Sequence, residues 1–150
     1  MRQQVTNRAI LLVEDNPSDV DLTKRAFEKR NLVNILVVAR DGQEALDYLF
    51  GAGAYAGRNV ADPPACILLD LKLPKVDGVT VLQTIKSDQR TRMIPVIVLT
   101  SSNELRDLKA CYGLGTNSYI RKPVDFDEFV EVVSHLGMYW LMLNEPPPAG

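Results

Sequence analysis

Five short apolar runs, at residues 9–13, 35–39, 65–69, 95–99 and 118–120, alternate with amphipathic stretches along this chain. Most of the runs are β-branched and nearly continuous, the pattern of strands buried on both faces of a parallel sheet. The stretches between them carry helix signals. Asn16 and Pro17 offer an N-cap and a first helical residue for a helix reaching about Arg30. A second helix follows Asp41, with Ala45, Leu46, Leu49 and Phe50 as its apolar residues, and a third begins near Gly78 with Val79, Leu82 and Ile85 on one stripe. Ser101 and Glu104 have the spacing of a capping box for a fourth, and Asp125 and Glu128 repeat it for a fifth running to about Leu143. Strands and helices in this order predict an α/β fold, a doubly wound parallel five-stranded sheet with helices on both faces. A Rossmann order and the flavodoxin-like order 2-1-3-4-5 both satisfy that description. The turn after the first strand, Glu14-Asp15-Asn16-Pro17-Ser18, contains no glycine. A dinucleotide-binding turn needs one, so the flavodoxin-like (βα)5 arrangement is the expectation.

The chain's 150 residues suit a single domain, here expected over 9–143, with short flanking tails at 1–8 and 144–150. Residues 51–64 are small and rich in Gly and Pro, and read as a long surface loop. Lys and Arg number 17 against 19 acids, a balance without the basic footprint of a nucleic-acid binder. No apolar run reaches the ~20 residues that span a bilayer, and the polar start lacks a signal-peptide core. Cys66 and Cys111 sit in apolar stretches without metal-like spacing and read as reduced thiols, which predicts a cytoplasmic protein.

Polar residues punctuate the ends of the apolar runs: Glu14 and Asp15 after the first, Asp70 after the third, Thr100 after the fourth and Lys122 after the fifth. In a parallel sheet all carboxyl ends lie on one edge, and ligands bind there at the switch point between strands 1 and 3. Three carboxylates meeting at that point repel one another unless a cation intervenes. An all-oxygen donor set without His or Cys favours Mg2+. Beside such a cation and Lys122, a carboxylate can serve as nucleophile toward phosphorus, a reaction that needs charge neutralisation on three equatorial oxygens. Asp70, central on the edge, is the expected nucleophile; Glu14 and Asp15 suit the metal, and the Thr100 hydroxyl can donate to a phosphoryl oxygen. The lone histidine, His135, lies far along the last helix and is expected to be a surface residue.

The segments LLVEDNPSD, ILLDLKLPKVDG, VIVLTSS and YIRKP, in this order and spacing, resemble the receiver domain of two-component response regulators over residues 9–143. The resemblance implies that Asp70 accepts a phosphoryl group from a phosphohistidine of a sensor histidine kinase. It implies that Asp15, Asp70 and the backbone carbonyl of Lys72 ligate Mg2+, while Glu14 acts through metal-bound water. Lys122 would contact the phosphoryl group, and the Lys122-Pro123 bond would be cis. Thr100 and Tyr119 would form the switch, Tyr119 turning inward as Thr100 moves. Lys72 stands where the family more usually has an uncharged residue, which bears on phosphoryl lifetime rather than on metal binding. The 51–64 loop, the Arg90-Thr91-Arg92 extension and the ending YWLMLNEPP are similar to those of the stand-alone response regulators of cyanobacterial phytochromes.

Only seven residues follow Leu143, so the expectation is a switch without an attached output module, acting through a changed protein-binding surface. Residues 138–143 are all apolar, more than one helix face can bury, and Tyr139, Trp140, Met142 and Leu143 are the expected contacts of a homodimer or docked partner. Two rival readings share the architecture: a Mg2+-dependent phosphatase or phosphotransferase, and a flavin module. The phosphatase family normally carries its nucleophile after the first strand with an aspartate two positions on; here the nucleophile candidate follows the third strand and Lys72 occupies the second position. The acidic Glu14-Asp15 turn would repel a flavin phosphate.

Overall fold

The computed structural model describes residues 8–29, 36–101 and 104–122, together with 127, 128, 131 and 135. The elements run β1 (Ile10–Val13), α1 (Pro17–Glu28), β2 (Leu36–Ala39), α2 (Gly42–Phe50), β3 (Cys66–Leu69), α3 (Gly78–Ser87), β4 (Val96–Thr100), α4 (Leu105–Gly113) and β5 (Ser118–Arg121), with a 3-10 turn at Gly53–Tyr55. All strand pairs are parallel, in the order β2-β1-β3-β4-β5. This is the flavodoxin-like arrangement read from the turn after β1. The central strands β1, β3 and β4 are buried throughout, whereas β2 and β5 at the edges are mostly half-buried.

The period of two along each strand sorts the core into two layers. Ile10, Leu12, Cys66, Leu68, Ile97 and Leu99 face α1, meeting Val20, Ala26 and Phe27. Leu11, Val13, Ile67, Leu69, Val96 and Val98 face the opposite side, packing against Ala45 and Leu49 of α2, Val81, Leu82 and Ile85 of α3, and Cys111 of α4. Phe27, fully buried, contributes about 3 kcal/mol by its burial, and its truncation to alanine would cost about 3–5 kcal/mol.

The helix boundaries follow local chemistry. Asn16 caps α1, its Oδ1 accepting from the backbone N–H of Ser18 at 2.9 Å and of Asp19 at 3.3 Å, with Pro17 opening the helix. Asp41 and Asp77 cap α2 and α3 in the same way, through the N–H groups of Glu44 (2.7 Å) and Thr80 (2.8 Å). Gly51 ends α2 with a φ of 65°, a left-handed conformation that glycine adopts without penalty. The junction of β4 and α4 differs from the sequence reading. β4 continues through Thr100, which pairs with Arg121, so the backbone at that point is extended and α4 starts only at Leu105. Glu104 stands at its N-cap without a side-chain cap bond, and its carboxylate accepts from Arg106 Nε at 2.6 Å. The start of β4 also moves by one residue, because Pro95 has no N–H to donate.

Residues 51–64 form a surface segment, as expected, but one pinned to α2. The Arg58 guanidinium donates to the carbonyls of Tyr48 (2.6 Å), Asn59 (3.2 Å) and Asp62 (2.9 Å), and lies 4.2 Å from the centre of the Tyr48 ring. Among the described residues no helix is long and apolar enough to cross a membrane. Of the expected fifth helix, Asp127, Glu128, Glu131 and His135 are described and helical, and His135 is exposed, facing Glu131 at 3.6 Å. Pro123, and with it the geometry of the Lys122-Pro123 bond, lies outside the described residues, as do Tyr139, Trp140, Met142 and Leu143.

Candidate functional site

The strand ladder delivers the acids to one another. Past the end of β1, the Glu14 N–H donates to the Ala39 carbonyl at 2.9 Å, and past the end of β3 the Asp70 N–H donates to the Val13 carbonyl at 3.0 Å. Glu14 and Asp70 therefore leave neighbouring strands side by side at the carboxyl edge. Both are buried, Asp15 is exposed, and oxygens of these three carboxylates lie within 4.8 Å of one another. On the far side of the edge, the Lys122 N–H donates to the Thr100 carbonyl at 2.7 Å, continuing the β4–β5 ladder. That bond sends the lysine side chain back across the edge. Its Nζ contacts Glu14 Oε1 at 2.5 Å, Asp19 Oδ2 at 2.6 Å and Asp70 Oδ2 at 3.3 Å.

Burial and ion pairing oppose each other at this edge. Loss of water, reinforced by the neighbouring Asp70 charge, raises the Glu14 carboxyl from 4.5 to about 7 against the opposing pull of Lys122. Burial alone would lower the Lys122 ammonium, but its bonds to Asp19 and Glu14 and the charge of Asp70 hold it above the ordinary lysine range. One ammonium contacts three carboxylates here, Glu14, Asp19 and Asp70, and Asp15 adjoins Glu14 and Asp70, so the site keeps an excess of negative charge. An all-oxygen, net-negative cluster with one exposed member fits a hard divalent cation that retains water ligands.

The remaining expected residues fall around this cluster. Lys72 is exposed in the loop after β3, and its N–H donates to Asp70 Oδ1 at 3.4 Å. Thr100 is fully buried as the last residue of β4. Tyr119 of β5 pairs with Val98 of β4 and is half-buried against the α2–α4 core layer. With Glu104, Leu105, Leu108 and Arg121 it lines a surface pocket of about 430 Å³. Gly78, at the start of α3, closes the loop by donating to the Leu71 carbonyl at 2.9 Å. Asp19 was assigned no part in the sequence reading. An acid in the first turn of a helix has an ordinary explanation in the helix dipole. The available signal was its position: a helix separated from β1 by three residues sets its first turn over the same sheet edge.

Comparison with known proteins agrees with this geometry. The response regulator receiver domain family matches residues 10–134. The phosphorylated cyanobacterial phytochrome response regulator RcpA superposes with a TM-score of 0.87 at 38% identity, covering 95% of this chain and 100% of that one. The bacteriophytochrome response regulator AtBRR is 56% identical, with a TM-score of 0.71, over 92% of this chain and 98% of its own. A probable methanogenesis regulatory protein, FilR2 of Methanothrix harundinacea, is 44% identical over 92% of this chain and 86% of its length.

Proposed function

The chain belongs to the response regulator receiver domain family, and from that membership we propose that it is a phosphorylated switch of a two-component phosphorelay, charged on Asp70 by a sensor histidine kinase. The observation that carries this reading is the meeting of Asp70 and Lys122 at one sheet edge, with Glu14 and Asp15 alongside. A carboxylate oxygen of Asp70 attacks the phosphorus of a phosphohistidine in line with the P–N bond. That bond breaks, its electron pair stays on the imidazole nitrogen, and the nitrogen takes up a proton. Glu14, Asp15, Asp70 and the Lys72 carbonyl are the groups we assign to hold Mg2+, which when bound supplies charge neutralisation for the phosphoryl oxygens. Lys122 adds a fixed positive charge, and the Thr100 hydroxyl a hydrogen-bond donor. The new phosphoryl group, carrying close to two negative charges, then draws Thr100 toward it and lets Tyr119 turn inward, changing the β4–β5 surface.

Incubation with acetyl phosphate and Mg2+ tests this directly. The expected result is one stable label, absent in Asp70→Asn. Labelling that persists in Asp70→Asn overturns the assignment, multiple turnover of a small phosphoester would favour the phosphatase reading, and a yellow purified protein the flavin reading.

The likeness to RcpA and AtBRR supports a phytochrome-type kinase as the phosphodonor. Faster phosphotransfer from a light-sensing kinase in one of its two light states than from an unrelated kinase is the expected outcome. The signal leaves through protein contact, for which we assign the apolar segment containing Tyr139, Trp140, Met142 and Leu143. Trp140→Glu is expected to weaken self-association in sedimentation; a wild-type protein that stays monomeric in both phosphorylation states, with kinase binding unchanged by the mutation, sinks this part.

A further inference from the structure

The Lys122 ammonium has three protons to donate, and each has its own acceptor: Glu14 at 2.5 Å, Asp19 at 2.6 Å and Asp70 at 3.3 Å. Two of these acceptors belong to the carboxylate cluster in which oxygens lie within 4.8 Å of one another. The third, Asp19, stands outside that cluster, in the first turn of α1. We propose that Asp19 is a positioning residue for Lys122, keeping its ammonium over the reactive edge once Glu14 and Asp70 are engaged by a divalent cation and a phosphoryl group. The inference rests on the phospho-acceptor reading above.

The geometry supports it at both ends of the lysine. The backbone of Lys122 is held by its 2.7 Å bond to the Thr100 carbonyl, so the side chain must reach from the end of β5. Asp19 is equally fixed: its own N–H donates to Asn16 Oδ1, and the helix whose first turn it occupies is anchored by buried Val20 and Phe27. The Lys122 side chain is only 10% exposed, so an ammonium that lost two of its acceptors could not recover them all from water. A cation drawing on Glu14 and Asp70 would also repel Lys122 across the same few ångströms. Asp19 then supplies the one charged acceptor that neither event consumes. At 21% its side chain is more exposed than that of Glu14 (4%) or Asp70 (9%), so holding a charge there costs less desolvation. The fold separates the two residues by 103 positions and joins β5 to α1 through this contact.

A double-mutant cycle of Asp19→Asn with Lys122→Met, read as the rate of labelling by acetyl phosphate in Mg2+, tests the proposal. Exchanging a charged for a neutral acceptor is expected to slow labelling about tenfold while Lys122 is present, and to change it by less than about twofold in Lys122→Met. Asp19→Glu should restore most of the rate. A role confined to the α1 dipole would lower the melting temperature alike in both backgrounds and leave the coupling at zero. The second readout is 15N NMR of the Lys122 ammonium, whose three acceptors are expected to slow its proton exchange enough to give a signal. It is expected to survive addition of Mg2+ and beryllofluoride in the wild type and to vanish in Asp19→Asn. Loss of that signal in the wild type, or equal rate effects with and without Lys122, overturns the proposal without any folding assumption about the variants. Failure to label wild-type Asp70 at all would instead sink the phospho-acceptor reading.

Discussion

A Cβ placed on Gly78 would lie 2.4 Å from the backbone oxygen of Asp70 and 2.4 Å from the Leu71 Cα. The start of α3 therefore packs directly on the backbone that carries the central carboxylate. Helix propensity alone would make Gly78→Ala stabilising by about 1 kcal/mol. Both contacts are with backbone, which cannot swing aside, and overpacking of this kind costs about 1–3 kcal/mol. The steric effect wins. We expect Gly78→Ala to lower the urea midpoint and to slow labelling by acetyl phosphate, because the shift falls on Asp70 itself. An unchanged midpoint would show that the α3 start can move freely.

Replacing Lys122 by methionine keeps an unbranched side chain, one atom shorter, and removes its charge, leaving Glu14, Asp19 and Asp70 without their shared cation. Discounted for the partial exposure of Asp19, the loss in chelator should be about 2 kcal/mol, or roughly 5 °C in melting temperature. Added Mg2+ relieves the same repulsion. The expected result is a larger rise in melting temperature with Mg2+ for Lys122→Met than for the wild type. Equal shifts would mean that the carboxylates do not act on the cation as a unit.

The parallel sheet and its polar edge were legible because they rest on local signals. Continuous apolar runs mark β1, β3 and β4, and each has a residue of the wrong polarity at its end: Glu14, Asp70 and Thr100. The absence of glycine after β1 then selected the strand order. What escaped was tertiary in origin. Asp19 looks like any first-turn acid until Lys122 arrives from 103 positions away. The Ser101–Glu104 spacing suggested a helix opening at Ser101, but β4 pairs through Thr100 with Arg121, an interaction with no local trace, and α4 starts at Leu105. Arg58 likewise looked like one charge in a loop of small residues, with nothing nearby to say that it folds back onto α2.

The two cysteines offer a test of the core. Cys66 and Cys111 are both fully buried and unpaired. Burial pushes the Cys66 thiol far up and, with help from the Asp107 charge, raises Cys111 to about 11. Thiolate, the reactive form, is therefore scarce at neutral pH as well as inaccessible. Ellman's reagent should react with neither thiol in the native protein and with both in denaturant, at a rate that follows unfolding. Rapid modification of the native protein would contradict the packing of β3 or α4.

Arg58 holds residues 51–64 against α2 from within the segment. Its guanidinium donates to the Tyr48 carbonyl near the end of the helix and to the Asp62 carbonyl on the far side of the loop, and its plane covers the Tyr48 ring. Tyr48 in turn meets Tyr55 edge-on with centroids 5.1 Å apart, and the Tyr55 hydroxyl donates to Glu44 at 2.9 Å, so the loop is tied to α2 at both ends. Arg58→Ala removes the charged hydrogen bonds and the ring contact together, worth about 2 kcal/mol for a partly exposed group. The loss should be local. Limited proteolysis is expected to cut within 51–64 many times faster in the variant, while phosphorylation of Asp70, on the opposite side of β3 from this connection, proceeds at the wild-type rate. Slower labelling in Arg58→Ala would mean that the connection into β3 also sets the position of the acid at its far end.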